Sequence, residues 1–437
     1  MREMKDSGIA WIGVIPQDWE IVRTKSLYCS AKEIAGDRAD DFERLALTLN
    51  GVIKRSKEDS VGLQPEKFSG YQILKKGELV FKLIDLENVA TSRVGLSPYT
   101  GIVSPAYIVL SKQSRAKDLV VRYSMYHFLS MWQREIFNQM GDNGVRSSLN
   151  TKELLNIPHP FPSICEQKRI VTFLDAQCAE IDAILEKTRA SIEEYKKLKQ
   201  AVITQAVTKG IRGDRPMKDS RIEWIGEIPE SWEVSSVRYI GQLQNGISKG
   251  GEFFGKGFPF VSYGDVYKNY ELPHSVSGLI DTTEDERATY SVEYGDIFFT
   301  RTSETIEEVG FSCVCKRSIP NATFAGFIIR LRPFCADEKI LTDYAKYYFR
   351  GEHIRAYLVK EMNLVTRASL GQTLLKGMSV IVPPKSVQKE IAEYLDDKCA
   401  DIDALVAKKQ QYLTEIENYK KSLIYEYVTG KKEVHPL

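Results

Sequence analysis

Two segments of the chain carry apolar residues at alternating steps of three and four positions. They extend over about residues 165–208 and 387–429. This spacing places the apolar side chains on one face of an α-helix, and a stripe sustained over this length is typical of a coiled coil. Each segment is therefore predicted to form one helix, roughly 60 Å long at ~1.5 Å per residue.

The stripe assigns specific residues to helix packing. Thr188 and Ser191 interrupt it in the first segment and Lys409 in the second. The residues expected to pack are Ile181, Ile184, Tyr195, Leu198 and Val202, and then Ile402, Leu405, Tyr412, Ile416, Tyr419 and Leu423. A single amphipathic helix more often packs on its own domain. Because both segments share one register, they are instead predicted to pack on each other in antiparallel orientation, about a pseudo-two-fold axis.

The regions before the two helices have a different pattern. Residues 20–160 and 233–382 contain short apolar or alternating runs at 78–82, 102–110, 258–262, 296–300 and 323–331, which predict strands. Helical periodicity occurs near 120–137 and 341–358. Each region, at ~140 residues, is long enough to form an independent mixed α/β domain.

The chain is an internal duplication. Residues 5–20 recur as 218–233, each with a Trp-Ile-Gly-x-Ile-Pro motif, and residues 167–183 recur as 388–404. Between these ends the copies agree only in short stretches, such as 77–81 with 295–299 and 146–149 with 367–370. A scaffold is repeated while its middle diverges, which suggests two similar supports with two different recognition surfaces.

The predicted fold class is α+β: two mixed α/β domains separated by two long antiparallel coiled-coil helices, related by a pseudo-two-fold internal duplication. The expected boundaries are residues 1–160 for the first domain and 161–210 for the first helix, then 211–382 for a linker with the second domain and 383–437 for the second helix. Proline-rich stretches at 159–162 and 382–384, with Gly210 and Gly430, mark the helix ends.

Composition and charge narrow the function classes. Hydrophobic residues make up 43% and charged residues 27%, as in ordinary globular proteins. The formal net charge is +1, without the basic excess of a lone DNA-binding domain. DNA binding would then need local clusters of Lys and Arg, or partner subunits that supply phosphate contacts. Neither a membrane-spanning run nor a signal peptide is recognisable, so a cytoplasmic location without membrane contact is expected.

No catalytic or metal site is predicted. Residues 250–257 have P-loop spacing but end in Gly257, where Ser or Thr must hold magnesium. The five histidines form no metal-binding motif, and Cys313 and Cys315 lack two further ligands nearby. The string at 382–385 has Val and Lys in the two places that distinguish the Asn/Asp-Pro-Pro-aromatic motif of DNA methyltransferases.

Polar and basic residues next to predicted strands are the candidates for DNA contact. Such side chains can hold phosphates and recognise base edges, although most exposed polar residues have no specific role. Arg146 and Arg367 stand out because they are equivalent in the two copies, which a shared structural ion pair would explain equally well. The full set is Lys82, Arg93, Ser104, Tyr107, Arg146 and Ser148, then Ser248, Lys249, Tyr263, Arg301, Thr302, Ser303, Arg367 and Ser369.

The repeated motifs resemble those of type I restriction-modification specificity subunits. The resemblance includes Ser-Gly-Ile-x-Trp-Ile-Gly-x-Ile-Pro-x-x-Trp at residues 7–19, its copy at 220–232, the closing segment 162–175 and the segment 101–107. It covers nearly the whole chain. One departure is Val387, which stands where the first copy has Glu166.

The resemblance implies a non-catalytic subunit that recognises double-stranded DNA. Each domain would recognise one half of an asymmetric bipartite site, while the paired helices set the spacer and dock two methyltransferase subunits, to which restriction subunits can add. S-adenosylmethionine would bind the methyltransferase partners, and ATP and magnesium the restriction partner. Two other interpretations are a coiled-coil adaptor that does not bind DNA and a self-sufficient modification enzyme.

Overall fold

The protein, described by a computed structural model, forms two compact units. The structure describes residues 2–59, 67–86, 93–140, 148–213, 215–303, 309–362 and 368–434. Unit 1 comprises Met1–Arg189 and Gln411–Leu437, and unit 2 comprises Ala190–Gln410. Both unit boundaries fall inside long helices, so each of these helices begins in one unit and ends in the other.

Unit 1 is built from short strands and helices. The strands are β1 (Met4–Asp6), β2 (Val14–Pro16), β3 (Glu20–Arg23), β4 (Tyr28–Cys29), β5 (Arg44–Thr48), β6 (Gly51–Arg55), β7 (Gln72–Leu74), β8 (Leu79–Phe81), β9 (Val94–Leu96), β10 (Gly101–Val103), β11 (Ile108–Lys112) and β12 (Pro158–Phe161). The helices are α1 (Thr24–Leu27), α2 (Val121–Gln133), α3 (Ile136–Met140), α4 (Thr151–Asn156) and the first part of α5 (Ile164–Lys209). A 3₁₀ helix spans Gly36–Asp41.

Unit 2 repeats this organisation. Its strands are β13 (Met217–Asp219), β14 (Glu227–Pro229), β15 (Glu233–Ser236), β16 (Gly241–Asn245), β17 (Phe254–Val261), β18 (Gly278–Ile280), β19 (Ile297–Thr300), β20 (Thr302–Ser303), β21 (Ser312–Val314), β22 (Thr323–Phe324), β23 (Ile328–Pro333), β24 (Ala368–Ser369) and β25 (Ser379–Val382). Its helices are α6 (Tyr263–Lys268), α7 (Glu284–Thr289), α8 (Thr342–Tyr348), α9 (Glu352–Glu361) and α10 (Gln372–Gly377), followed by α11 (Lys385–Val428), which ends in unit 1. Further 3₁₀ helices span Val237–Tyr239 and Gly251–Phe253.

The two units share the strand order of one four-stranded sheet. Unit 1 has a sheet in the order β4-β11-β8-β9, and unit 2 has β16-β23-β19-β21. A second sheet contains a parallel pair in each unit, β5 with β10 and β17 with β22, and a small ladder joins β3 to β12 or β15 to β25. The duplication and mixed α/β fold expected from the sequence are therefore confirmed. The strands predicted at 102–110 and 323–331 are in fact each two strands separated by a turn.

The two predicted long helices are present as α5 and α11. α5 ends directly before Gly210, at φ +80°, and α11 ends two residues before Gly430, at φ +69°; both glycines have the left-handed conformation. Glycine is favoured there because it lacks the Cβ that makes this conformation costly for other residues. The indole of Trp232 lies 3.3 Å from where a Cβ on Gly210 would be, and that of Trp19 lies 3.1 Å from the same point on Gly430. The opening motif of each copy thus packs on a helix end.

Within each unit the two helices run antiparallel. In unit 1, Asp182 pairs with Lys420 at 2.6 Å and Arg189 with Glu417 at 2.6 Å. In unit 2, Lys199 pairs with Asp403 at 2.6 Å. Residue numbers rise along one helix as they fall along the other, which is the antiparallel order. Such exposed pairs contribute about 0–1 kcal/mol each, so the buried apolar residues hold the helices together.

The prediction of which helix face is buried is correct in part. Ile181, Ile402 and Leu423 are buried, and Tyr195, Val202 and Ile416 are half-buried. The packing prediction is wrong for five residues, which are between 41% and 53% exposed: Ile184, Leu198, Leu405, Tyr412 and Tyr419.

The contact face of α5 lies one position further along the chain. After Ile181 the buried residues are Leu185, Thr188 and Ile192. Thr188 belongs to this face because its hydroxyl donates to the Ile184 carbonyl at 2.8 Å, which satisfies the polar group inside the contact. The residue taken to interrupt the stripe is therefore part of it.

A glutamine at the start of each long helix fixes that helix to its domain. The Gln167 carbonyl oxygen accepts from the Val120 amide at 2.9 Å, and its amide donates to the Asp118 and Pro162 carbonyls. Gln388 makes the same three bonds, to the Leu341 amide and the carbonyls of Lys339 and Pro383. Both side chains are fully buried. The repeated glutamine is thus explained by backbone bonds that need a side chain with both a donor and an acceptor.

The departure at Val387 has a structural consequence. The Trp19 indole donates to the Glu166 carboxylate at 2.9 Å, and Arg2 forms an ion pair with the same group. In unit 2, where Val387 replaces the glutamate, the buried Trp232 indole nitrogen has no hydrogen-bond partner among the described residues. One copy therefore carries a buried polar contact that the other lacks.

Substitution of Glu166 tests the value of this contact. Glu166→Val is expected to lower the free energy of unfolding of unit 1 by about 2 kcal/mol, because it leaves the buried indole N–H unpaired. Glu166→Gln should cost less, since it keeps an acceptor. Urea denaturation followed by tryptophan fluorescence measures both. Glu180→Val, at an exposed position of the same helix, is the control and should change stability by no more than about 0.5 kcal/mol; equal effects of Glu166→Val and this control would contradict the assignment.

Candidate nucleic-acid interface

Several candidate DNA-contacting residues of unit 2 lie on one continuous backbone ladder. The Arg301 amide donates to the Phe327 carbonyl at 2.9 Å, and the Leu370 amide donates to the Arg301 carbonyl at 2.7 Å. Thr302 pairs with Ser369, and Ser303 pairs with Ala368. The ladder thus brings together residues that are more than sixty positions apart in the sequence.

Ser248 joins this ladder through the turn that contains Phe327. The Gly326 amide donates to the Ile247 carbonyl at 2.8 Å, and an added Cβ on Gly326 would meet the Ser248 hydroxyl. Ser248 and Ser369 are exposed, and Arg301 and Thr302 are half-buried. These hydroxyl and guanidinium groups form a surface suited to hydrogen bonds with phosphates or base edges. We refer to Ser248, Arg301, Thr302, Phe327 and Ser369 as the unit 2 ladder surface.

Lys249 and Tyr263 are engaged in other contacts. The Lys249 ammonium pairs with Glu286 at 2.6 Å, donates to the Asp281 carbonyl at 2.9 Å and lies over the Phe253 ring. Its side chain is only 14% exposed, so the prediction that it offers a charge to DNA is wrong. The half-buried Tyr263 ring stacks on Tyr267 with the ring centroids 5.9 Å apart.

Unit 1 has an equivalent ladder. Ile84 pairs with Ser148, and the Leu149 amide donates to the Leu83 carbonyl at 2.9 Å. This is the same arrangement as Thr302 with Ser369 and Leu370 with Arg301. Within the recurring stretches 146–149 and 367–370, Leu149 and Leu370 are buried next to these ladders. Arg146 and Arg367 themselves lie outside the described residues.

The structure corrects the sequence-based assignment of Arg93 as a DNA contact. Its side chain is fully buried and donates to the backbone carbonyls of Lys82, Ile84 and Asp85. Burial lowers the pKa of both Arg93 and Lys82, and the nearby positive charge of Arg93 lowers the pKa of Lys82 further. A guanidinium whose donors are bound to the backbone cannot hold a phosphate, so the prediction that Arg93 contacts DNA is wrong. Lys82 and Ser148 remain at the surface, half-buried and exposed respectively.

The turn 104–107 of unit 1 is fixed by a residue that sequence reasoning missed. Gln72 is buried, and its amide donates to the Ser104 carbonyl at 2.9 Å and the Tyr107 carbonyl at 2.6 Å. Burial raises the pKa of the half-buried Tyr107, while the nearby charges of Arg44 and Arg55 lower it. Arg44 and Arg55 thus lie near Tyr107, where they are cross-strand partners at the start of β5 and the end of β6. Nothing in the sequence indicated this pairing.

The described residues contain neither a metal-binding cluster nor a membrane-spanning helix. No group of three or more His, Cys, Asp or Glu side chains in this part of the chain is placed to bind a metal ion. Cys313 and Cys315 are buried, and burial raises the pKa of both thiols, that of Cys315 to about 12. None of the helices in the described segments has the length and apolar character required to cross a bilayer.

Comparison with known proteins agrees with this architecture. A protein-family model described as the type I restriction modification DNA specificity domain matches residues 229–417. The specificity subunit of the type I restriction enzyme MjaVIII from Methanocaldococcus jannaschii is 24% identical over 431 residues, which are 97% of this chain and 95% of that protein. The EcoKI specificity subunit from Escherichia coli is 24% identical over 285 residues, 64% of this chain and 58% of that protein.

A solved structure shows the same fold. A chain from a study of complex assembly and conformational transition of the type I R-M system superimposes with a TM-score of 0.70 at 14% identity, and covers 96% of this chain and 99% of that one. The two long helices and paired mixed α/β regions predicted from the sequence agree with that fold. In its duplicated motifs and repeated domains, and by these relatives, the chain is similar to type I restriction-modification specificity subunits.

Proposed function

We propose that this protein is the DNA-specificity subunit of a type I restriction-modification system, in which each unit recognises one half of an asymmetric bipartite site. The observation that carries the proposal is one ladder repeated with different residues. Its equivalent positions hold Leu83 and Ile84 in unit 1 but Arg301 and Thr302 in unit 2. Since base edges are distinguished by hydrogen-bonding pattern, two different sets of side chains on one frame would select two different half-sites.

The recognition domains in this proposal are residues 1–160 and 211–382, with the helical segments 161–210 and 383–437 between and after them. The DNA contacts include Lys82, Ser104, Tyr107 and Ser148 from unit 1 and the unit 2 ladder surface. The near-zero net charge of the chain is compatible with DNA binding by these residues. Partner subunits can supply much of the phosphate contact.

The protein acts as a non-catalytic component. Two methyltransferase subunits dock on the long helices, and restriction subunits add to that complex. S-adenosylmethionine belongs to the methyltransferase partners, and ATP with magnesium to the restriction partner. The complex acts on DNA in the cytoplasm.

Exposed apolar residues on the long helices support the docking proposal. Ile184 and Leu198 on α5, and Leu405, Tyr412 and Tyr419 on α11, are each at least 41% exposed. Leu405, Tyr412 and Tyr419 follow one another at intervals of seven, and Ile184 and Leu198 occupy equivalent places in the first copy. Exposed aromatic and aliphatic side chains on a rigid helix are suitable anchors for a protein partner.

Methylome sequencing tests the proposed function. A host without its own type I system would express this chain together with the methyltransferase subunit encoded beside it, or either protein alone. We expect a bipartite adenine-methylation motif only when both are expressed. If both proteins are soluble and associated but no new methylation occurs, the adaptor interpretation is favoured; methylation by this chain alone would instead indicate a self-sufficient modification enzyme.

A further inference from the structure

The turn between β22 and β23 is held rigidly by its backbone. The Ile328 amide donates to the Ala325 carbonyl at 2.9 Å, which closes the turn, and the Ala325 amide donates to the Val261 carbonyl at 3.1 Å. The Gly326 amide and the Phe327 carbonyl are bonded to Ile247 and Arg301, as described above. Every residue of the turn is thus tied to a neighbouring strand or loop, and its tip has a fixed position on the surface.

Phe327 stands at the tip of this turn and is 63% exposed. Single exposed apolar residues are common on proteins, so exposure alone carries no inference. Here the residue is held in a fixed backbone and its neighbours on the ladder are the polar side chains of Ser248, Arg301 and Thr302. A large apolar group is therefore presented among hydrogen-bonding groups proposed to contact DNA.

The equivalent turn of unit 1 has a different residue at its tip. There the Tyr107 amide donates to the Ser104 carbonyl at 3.1 Å, as Ile328 does to Ala325, and β11 pairs with β8 as β23 pairs with β19. This register makes Ala106 the counterpart of Phe327. The backbone of the tip is thus repeated while its side chain changes from methyl to phenyl, as expected for a position that distinguishes the two recognition surfaces.

The chemistry of the side chain defines what it can contact. A phenyl ring neither donates nor accepts a conventional hydrogen bond, so it cannot discriminate the polar atoms of base edges. The apolar group that the major groove presents is the 5-methyl group of thymine, which Phe side chains are known to contact. We propose that Phe327 is a specificity-determining residue that contacts a thymine methyl group in the half-site recognised by unit 2. This inference rests on the proposed function.

Binding measurements with uracil-substituted DNA test the inference. The complex of this chain with its methyltransferase subunits would be titrated with a duplex that contains the methylated motif, and each thymine of the half-site would be replaced in turn by deoxyuridine, which lacks only the methyl group. For one thymine, we expect the replacement to weaken binding of the wild-type complex about tenfold. Phe327→Ala should weaken binding to the thymine duplex by a similar factor and be insensitive to that replacement.

Phe334→Ala is the matched control, because Phe334 is also 63% exposed and in the same unit but lies outside the turn. It should leave affinity unchanged, and thermal unfolding should show that both variants are folded. Wild-type affinity in Phe327→Ala would overturn the inference. So would a loss that no uracil replacement reproduces, which would indicate a wedge between base steps or a backbone contact. Failure of the wild-type complex to prefer any site would instead count against the proposed function.

Discussion

Leu185→Asp is expected to unfold unit 1, whereas Ile184→Asp, the same change one residue earlier, should leave the unit folded and abolish methyltransferase binding. Leu185 is 4% exposed and packs in a core that includes Ile181 and Leu423, while Ile184 is 41% exposed. An unpaired carboxylate buried at Leu185 costs more than about 4 kcal/mol, a large part of the ~5–15 kcal/mol that stabilises a typical domain. At Ile184 the carboxylate remains in water, and the folding cost should be within about 0.5 kcal/mol.

Circular dichroism with thermal unfolding measures the first effect, and calorimetric titration with the purified methyltransferase subunit measures the second. Tyr412→Asp, at an exposed position on α11, is expected to act as Ile184→Asp does. Normal methyltransferase affinity in both exposed variants would contradict the docking surface. Equal destabilisation by Leu185→Asp and Ile184→Asp would instead contradict the helix register.

Inserting seven residues into each long helix is expected to change which DNA sites are methylated. The insertions would follow Arg189 in α5 and Gln410 in α11, which are equivalent in the two copies. Seven residues are close to two helical turns, so the contact faces keep their register, and they add roughly 10 Å at ~1.5 Å per residue. If the helices set the spacer between half-sites, it should lengthen by about three base pairs at ~3.4 Å each, with both half-sites unchanged.

The methylome of cells that express this variant with the methyltransferase subunit gives the result directly. Sites with the original spacer should lose methylation. An insertion in α5 alone is the control: the antiparallel partner no longer matches in length, so methylation should be lost at all spacers. An unchanged motif in the double-insertion variant would show that the helices do not set the spacer length.

The sequence by itself determined the duplication, the two long helices and the resemblance to type I specificity subunits. These conclusions rest on local information: the 3.6-residue period of the helices, the glycines at their ends and the repeated motifs at residues 5–20 and 218–233. The repeated Gln-Lys and Trp motifs were also evident. Their reason was not, because Gln167 bonds to the start of α2 and Trp19 packs on Gly430, contacts that join distant parts of the chain.

The tertiary structure alone decided which helix face is buried and which polar residues are available to DNA. A 3.6-residue period permits a step of either three or four after Ile181, and both Ile184 and Leu185 are apolar, so only the packed partner selects Leu185. The sequence pattern predicts that Arg93 is a surface cation, but in the folded chain its guanidinium donates to backbone carbonyls. The exposed tip at Phe327 arises because a predicted continuous strand is broken by backbone bonds to Ile247 and Arg301. Burial and long-range hydrogen bonding depend on residues that are distant in the sequence and meet only in the folded chain. The local periodicity of the sequence contains no information about these contacts.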